Sequence, residues 1–190
     1  MKNILLTVPH SKCLGKKDHI CDYLAEKAAK SLHSKLENSI LILSDVNRTF
    51  IDYNRKKSKN TKWRENIRKI ILSKNIDFLI DVHSFPPSSE SFGFFKKDNE
   101  TYSSLPEIVL LDSYYDEKFL DRSTSIEFNK YLLKNNIKSK LIVGGDNDIT
   151  LDGRRLNIKS ILIEYNESLT SQRLDYINNI IIKYIIKLSS

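Results

Sequence analysis

Asp81 and His83 stand two residues apart at the end of an apolar run, Phe78-Leu79-Ile80, and Ser84-Phe85-Pro86 follows them. The run reads as a short buried strand, and alternation along a strand puts Asp81 and His83 on one face. A histidine placed there is a candidate metal ligand or general base, and the neighbouring aspartate is a candidate partner for its ring. A second apolar run, Ile4-Leu5-Leu6-Thr7-Val8, delivers Pro9-His10-Ser11 in the same way, and a third, Ile161-Leu162-Ile163, delivers Glu164. Between them lies a polar passage at 44–55 with two Asn-Arg pairs, Asn47-Arg48 and Asn54-Arg55.

Two histidines plus a carboxylate make a zinc set for a catalytic site, with one position left for water. A further carboxylate off the metal can take that water's proton and later protonate a leaving nitrogen. A fixed arginine offers a fork for a substrate carboxylate. Each residue also has a plainer role open to it: His10 and His83 packed at strand ends, Glu164 in a rim ion pair, Asn54 in a turn, Arg55 on a surface acid. Joint placement at successive strand ends favours chemistry, because open α/β sheets build their sites there.

The elements that must position these residues alternate along the chain. Strands are expected at 3–8, 39–43, 77–85, 108–111, 141–143 and 161–163, with a further short one at Phe92-Gly93-Phe94-Phe95. Asp18 can cap a helix carrying Ile20, Leu24, Ala28, Leu32 and Leu36, with Asp22 on its first or second turn. Thr61 can cap a second, with Trp63, Ile67, Ile70 and Ile71 on one side. A third is expected at 121–134 with Ile126, Leu132 and Leu133 as its apolar contacts. Leu174, Ile177, Ile181, Ile185 and Leu188 mark a C-terminal amphipathic helix, and 144–148 reads as a turn-rich acidic loop. The alternation predicts one α/β domain over residues 1–190, with a mixed, largely parallel sheet.

Composition sets the outer bounds. A chain of 190 residues, 40% hydrophobic with 5 Gly and 4 Pro, can bury one substantial core and is not loop-dominated. The first apolar run is too short for a secretory leader, and Ile180-Ile181-Ile182 is broken by Lys183, so no membrane association is expected. Cys13 and Cys21 cannot make a disulfide framework, which points to a reducing, cytoplasmic compartment. The net charge of +7 invites nucleic acid as a partner, but no zinc-finger spacing, RNA-binding aromatic motif or helix-turn-helix pattern accompanies it.

Pro9-His10-Ser11, Ile51-Asp52-Tyr53-Asn54-Arg55, Ile80-Asp81-Val82-His83-Ser84-Phe85 and Leu162-Ile163-Glu164-Tyr165-Asn166 resemble, in that order, the motifs of the N-formylglutamate amidohydrolase family. That family is related in fold to the zinc carboxypeptidases. His19-Ile20-Cys21-Asp22 is similar to its His-x-x-Asp entry to the first helix, and Asp146-Asn147 to a loop motif before its last strand. The matches run from residue 9 to 166. The resemblance implies a three-layer α/β/α, phosphorylase/hydrolase-like fold and a zinc-dependent amidohydrolase. His10 and His83 are then zinc ligands, with Asp22 as the third. The carboxypeptidases place a Glu three residues after their first histidine, where this chain has Cys13. A Cys13 thiolate is therefore a rival to Asp22, with Asp18 and His19 behind it. Asn54 and Arg55 are implied to hold the substrate's carboxylate, with Arg48, Arg154 and Arg155 as further cations and Asn147 in the loop. Glu164 is the implied general base and acid, and Asp81 the residue that orients a ligand or water. The implied substrate is N-formylglutamate, another N-acyl amino acid or a short peptide. A catalytically silent protein of the same fold that binds a ligand or partner is the alternative, kept open by Cys13.

Overall fold

In the computed structural model, six apolar runs form one sheet: β1 (Ile4–Val8), β2 (Ser39–Leu43), β3 (Phe78–Phe85), β4 (Ile108–Asp112), β5 (Ser139–Val143) and β6 (Lys159–Asn166). The structure describes residues 2–13, 21–87, 105–112, 123–143 and 148–188. Strand order is β2-β1-β3-β6-β4-β5. The first four run parallel; β4 lies antiparallel to β6 and carries β5 parallel to itself. The chain leaves β1 toward β2 and returns to β3 on the other side of β1. That reversal opens a crevice at the carboxyl ends of β1 and β3, the place where such sheets bind ligands.

Helices cover both faces. On one side α1 (Ala25–His33), α3 (Ser123–Lys134) and α5 (Ser171–Lys187) close over Leu6, Val8, Ile80, Ile163 and their neighbours. On the other, α2 (Lys62–Ser73) and α4 (Asp148–Arg155) pack with Leu5, Leu79, Tyr53 and Trp63. This is the expected three-layer α/β/α arrangement. No helix among the described residues is long and apolar enough to cross a membrane.

Local chemistry explains where the helices start and stop. Thr61 caps α2 by accepting from the Arg64 amide, and Thr170 caps α5 by accepting from the Arg173 amide. Asn75, Asn136 and Asn157 follow α2, α3 and α4 in the left-handed region, with φ of 48°, 56° and 61°. Asparagine tolerates that conformation, so each ends its helix and turns the chain into the next strand.

Several expectations need correction. Helix α1 begins at Ala25, so Asp22 lies in the turn ahead of it rather than on its first turns. Helix α3 turns Thr124, Ser125, Phe128 and Leu132 inward and leaves Ile126 and Leu133 exposed, because its polar residues at 124 and 125 pack under the helix in place of the bulkier ones. Helix α4 was not expected. It needs Gly153, where a Cβ would come within 2.9 Å of Ser160 Oγ and 3.1 Å of Leu79 Cδ2. Strand β6 continues past Glu164, which sits inside the strand. The expected strand at 92–95 lies outside the described residues.

Candidate active site

Strand β1 carries the chain to Pro9 and His10, and the Asp22 amide donates to the His10 carbonyl at 3.1 Å. Those two residues are also linked through the loop between them, because Cys13 and Cys21 form a disulfide. Cys13 is thus no thiolate and drops out as a rival to Asp22. The expectation of a reducing compartment rested on cysteines too few for a disulfide framework, and this single bond weakens that ground.

His10, Asp22 and His83 are all buried, and one ligand atom from each lies within 4.8 Å of the others. Their arrangement is directional. His10 Nδ1 stands 3.2 Å and His83 Nδ1 2.7 Å from the same oxygen, Asp22 Oδ2. The opposite nitrogens face carboxylates: His10 Nε2 is 2.9 Å from Asp52 Oδ1, and His83 Nε2 is 3.1 Å from Asp81 Oδ2. The rings meet edge to face, with centroids 4.8 Å apart. A carboxylate on Nε2 fixes the tautomer that leaves the Nδ1 lone pair for a metal.

Both carboxylates are held in turn. Asp81 accepts from the Thr7 hydroxyl at 2.6 Å, across the β1–β3 pairing. Asp52 Oδ2 accepts from Arg48 at 3.3 Å and from Arg55 Nε at 3.1 Å, while its Oδ1 also accepts the Asn54 amide at 3.1 Å. The sequence reading assigned no ring-orienting role to Asp52. Asp52 entered only within the polar passage at 44–55 and its motif, and its distance to His10 is what gives it that role.

Glu164 pairs with His83 in the β3–β6 register and is half-buried. Burial pushes its carboxyl up to about 7; the Asp22 and Asp81 charges add to the rise, and the histidines oppose it. Burial also works against the ionised Asp22, yet His10 and His83 outweigh it and hold that carboxyl well below the usual range. Asp52 is lowered as well, burial being overcome first by His10 and then by Arg48 and Arg55. Burial alone lowers His83, but Asp81 and Asp22 raise it well above the ordinary histidine value.

The remaining expected residues divide. Arg48 reaches within 3.8 Å of Asp22 Oδ1, at the edge of the cluster. Arg55 is one step farther out on Asp52, with its side chain 43% exposed. Asn54 is buried, its Nδ2 3.3 Å from His83 Nε2 and its Oδ1 accepting from the Ile149 amide at the start of α4. Arg154 is buried against Asp112 at 2.7 Å, and Arg155 pairs with Asp152 at 3.5 Å, so both serve ion pairs elsewhere. Asn147, Asp18 and His19 lie outside the described residues.

The donor set fits zinc: two imidazole nitrogens and a carboxylate oxygen converge, and each imidazole is backed by a second carboxylate. A carboxylate off that set, Glu164, stands beside it.

No sequence-family model matches the chain, and no curated protein does. Solved structures do resemble it. Gene product Atu2144 from Agrobacterium tumefaciens superposes with a TM-score of 0.71 at 16% identity, over 98% of this chain and 90% of that one. An N-acetylmuramoyl-L-alanine amidase from Clostridium difficile 630 matches with a TM-score of 0.57 at 15% identity, over 100% and 98% of the two chains. A metallo-carboxypeptidase from Burkholderia cenocepacia matches with a TM-score of 0.54 at 11% identity, over 98% of this chain and 56% of that one. At these identities the likeness is one of fold: an amidase and a metallo-carboxypeptidase share this α/β architecture.

Proposed function

We propose that the chain is a zinc-dependent amidohydrolase acting on a small carboxylate-bearing amide. The observation that carries this reading is the convergence of His10 Nδ1 and His83 Nδ1 on one oxygen of Asp22, with a carboxylate behind each ring. Its motifs' resemblance to the N-formylglutamate amidohydrolases and its fold likeness to an amidase and a carboxypeptidase support amide cleavage.

His10, Asp22 and His83 would hold the metal, which supplies a Lewis acid that polarises a carbonyl and acidifies water. Asp52 and Asp81 accept the Nε2 protons and keep both rings aimed inward. Glu164 takes the proton of the attacking water and delivers it to the departing amine nitrogen. Burial raises this carboxyl in the metal-free chain above the ordinary glutamate value, the direction that suits one group to accept and then donate a proton. Arg48, beside Asp22, supplies positive charge for the substrate's carboxylate or for the oxyanion, and Arg55 and Asn54 extend that polar wall. The substrates that fit are N-formylglutamate, other N-acyl amino acids and short peptides, including cell-wall peptides.

The test is Glu164→Gln. It is expected to keep its zinc and to lose about 10²- to 10⁴-fold in turnover on N-acyl amino acids or peptides that the wild type cleaves. Full activity in that variant removes Glu164 from the mechanism. A zinc-loaded wild type that binds such compounds without cleaving any of them replaces the hydrolase reading with a ligand-binding one.

A further inference from the structure

The two residues that follow the histidine of β3 and the aspartate of the α1 turn, Ser84 and Tyr23, meet on a single side chain. Glu167 Oε1 accepts from the Ser84 hydroxyl at 2.7 Å and from the Tyr23 amide at 3.1 Å. Ser84 Oγ in turn accepts from the Leu24 amide at 3.1 Å. Glu167 is itself anchored, since its own amide donates to the Phe85 carbonyl at 2.9 Å. One carboxylate thus ties the end of β3 to the turn that enters α1.

The clamp adds to the bond that Asp22 Oδ2 makes to His83 Nδ1 at 2.7 Å. Leu24 occupies the N-cap of α1 and offers no side-chain cap. The first amides of a helix have no partners within it and need acceptors from elsewhere. Here the acceptors for Tyr23 and Leu24 come from Glu167, just past the end of β6, and from Ser84 of β3, the strand that bears His83. A negative charge at the N-terminal end of α1 is also favourable to the helix dipole. The clamp therefore joins Tyr23 and Ser84, the residues immediately after Asp22 and His83.

We propose that Glu167 is a positioning residue for the metal centre: through Ser84 and the amides of Tyr23 and Leu24 it fixes Asp22 against His83. This rests on the zinc reading given above.

The experiment is a zinc titration against a competing chromophoric chelator for the wild type, Glu167→Ala and Glu167→Gln. Melting temperatures and amide exchange at Tyr23 and Leu24 are recorded on the metal-free proteins. Glu167→Ala is expected to bind zinc about 10- to 100-fold more weakly, with faster exchange at both amides. Glu167→Gln keeps an oxygen acceptor and is expected to stay within about threefold of the wild type. A lowered melting temperature in Glu167→Ala with unchanged zinc affinity makes the residue merely structural and overturns the proposal while leaving the zinc site in place. Equal losses in the Ala and Gln variants also overturn it. A wild type that binds no zinc removes the site reading and this proposal together. If Glu167→Ala fails to fold, Ser84→Ala decides: it breaks the links to Glu167 and Leu24, and unchanged zinc affinity there overturns the clamp.

Discussion

The Arg64 cluster and the His10–Asp22–His83 cluster are both buried and polar, and they lie on either side of Asn54. Around Arg64 every charge is answered from within the chain. Its Nε donates to Asp152 at 2.8 Å, its Nη1 to the Tyr53 carbonyl at 2.9 Å and its Nη2 to the Asp148 carbonyl at 2.9 Å, and Arg68 adds a second cation to Asp152 at 3.1 Å. Around the histidines the balance runs the other way. Asp22, Asp52, Asp81 and Glu164 surround two imidazoles, with Arg48 and Arg55 only at the outer edge. In the metal-free chain Asp81 and Asp22 raise His83, and burial foremost, with those two charges adding to it, raises Glu164. A buried arginine knits a structure; a buried ring of carboxylates about two oriented imidazoles suits the metal centre proposed above.

Breaking the Arg64 side has the largest expected effect. Arg64→Ala leaves Asp152 only the partly exposed Arg68 and Arg155 and removes the buried link from α2 to α4, at a cost of about 3 kcal/mol. Thermal or denaturant unfolding reads the loss, while zinc per folded chain stays unchanged. A loss no larger than that of a surface substitution makes the cluster dispensable and the contrast empty. Asp52→Ala comes next. It removes the carboxylate on His10 Nε2 and is expected to weaken zinc binding about 10- to 100-fold with the fold retained. Unchanged affinity makes Asp52 a partner of Arg48 and Arg55 only.

The third effect is a pH dependence. In the folded, metal-free protein the Glu164 carboxyl titrates at about 7 against an ordinary value of 4.5. Between those values the folded state holds a proton that the unfolded state releases, so this group's contribution makes stability fall as pH rises through that window. Glu164→Gln lacks the term. Its stability relative to wild type is therefore expected to rise from about pH 4.5 to about pH 7, read from denaturant midpoints at each pH. Parallel curves place Glu164 in an unperturbed setting and weaken its role as acid and base.

Much of the architecture was legible because it rests on local signals. The apolar runs, the Thr61 cap and the stripe of α5 each declare an element without reference to distant residues. His10 and His83 were legible as strand-end polar residues, and Asp81 by period-two alternation. Asp22 was placed near the start of the first helix by pattern, but its part in the site came from the family resemblance, since nothing beside it says that the Asp22 amide bonds the His10 carbonyl. The rest depends on contacts distant in sequence. The Asp52–His10 bond spans 42 positions and the Arg64–Asp152 pair 88, and a lone aspartate or a helical arginine carries no mark of either. Helix α4 was hidden by its length and by Gly153, a residue that reads as a break and is in fact what lets the helix approach Ser160. The disulfide was hidden because two cysteines 8 positions apart look like chance until the loop is closed. On α3, apolar type was a poor guide to burial because the face toward α5 and the sheet is lined partly by Thr124 and Ser125.

The most direct measurement is the zinc content of the purified protein beside His10→Ala and His83→Ala, each checked for an intact fold. The account predicts about one zinc per wild-type chain and none in either variant. A wild type that takes up no zinc on reconstitution, or two variants that keep it, contradicts a metal centre built on the facing Nδ1 atoms.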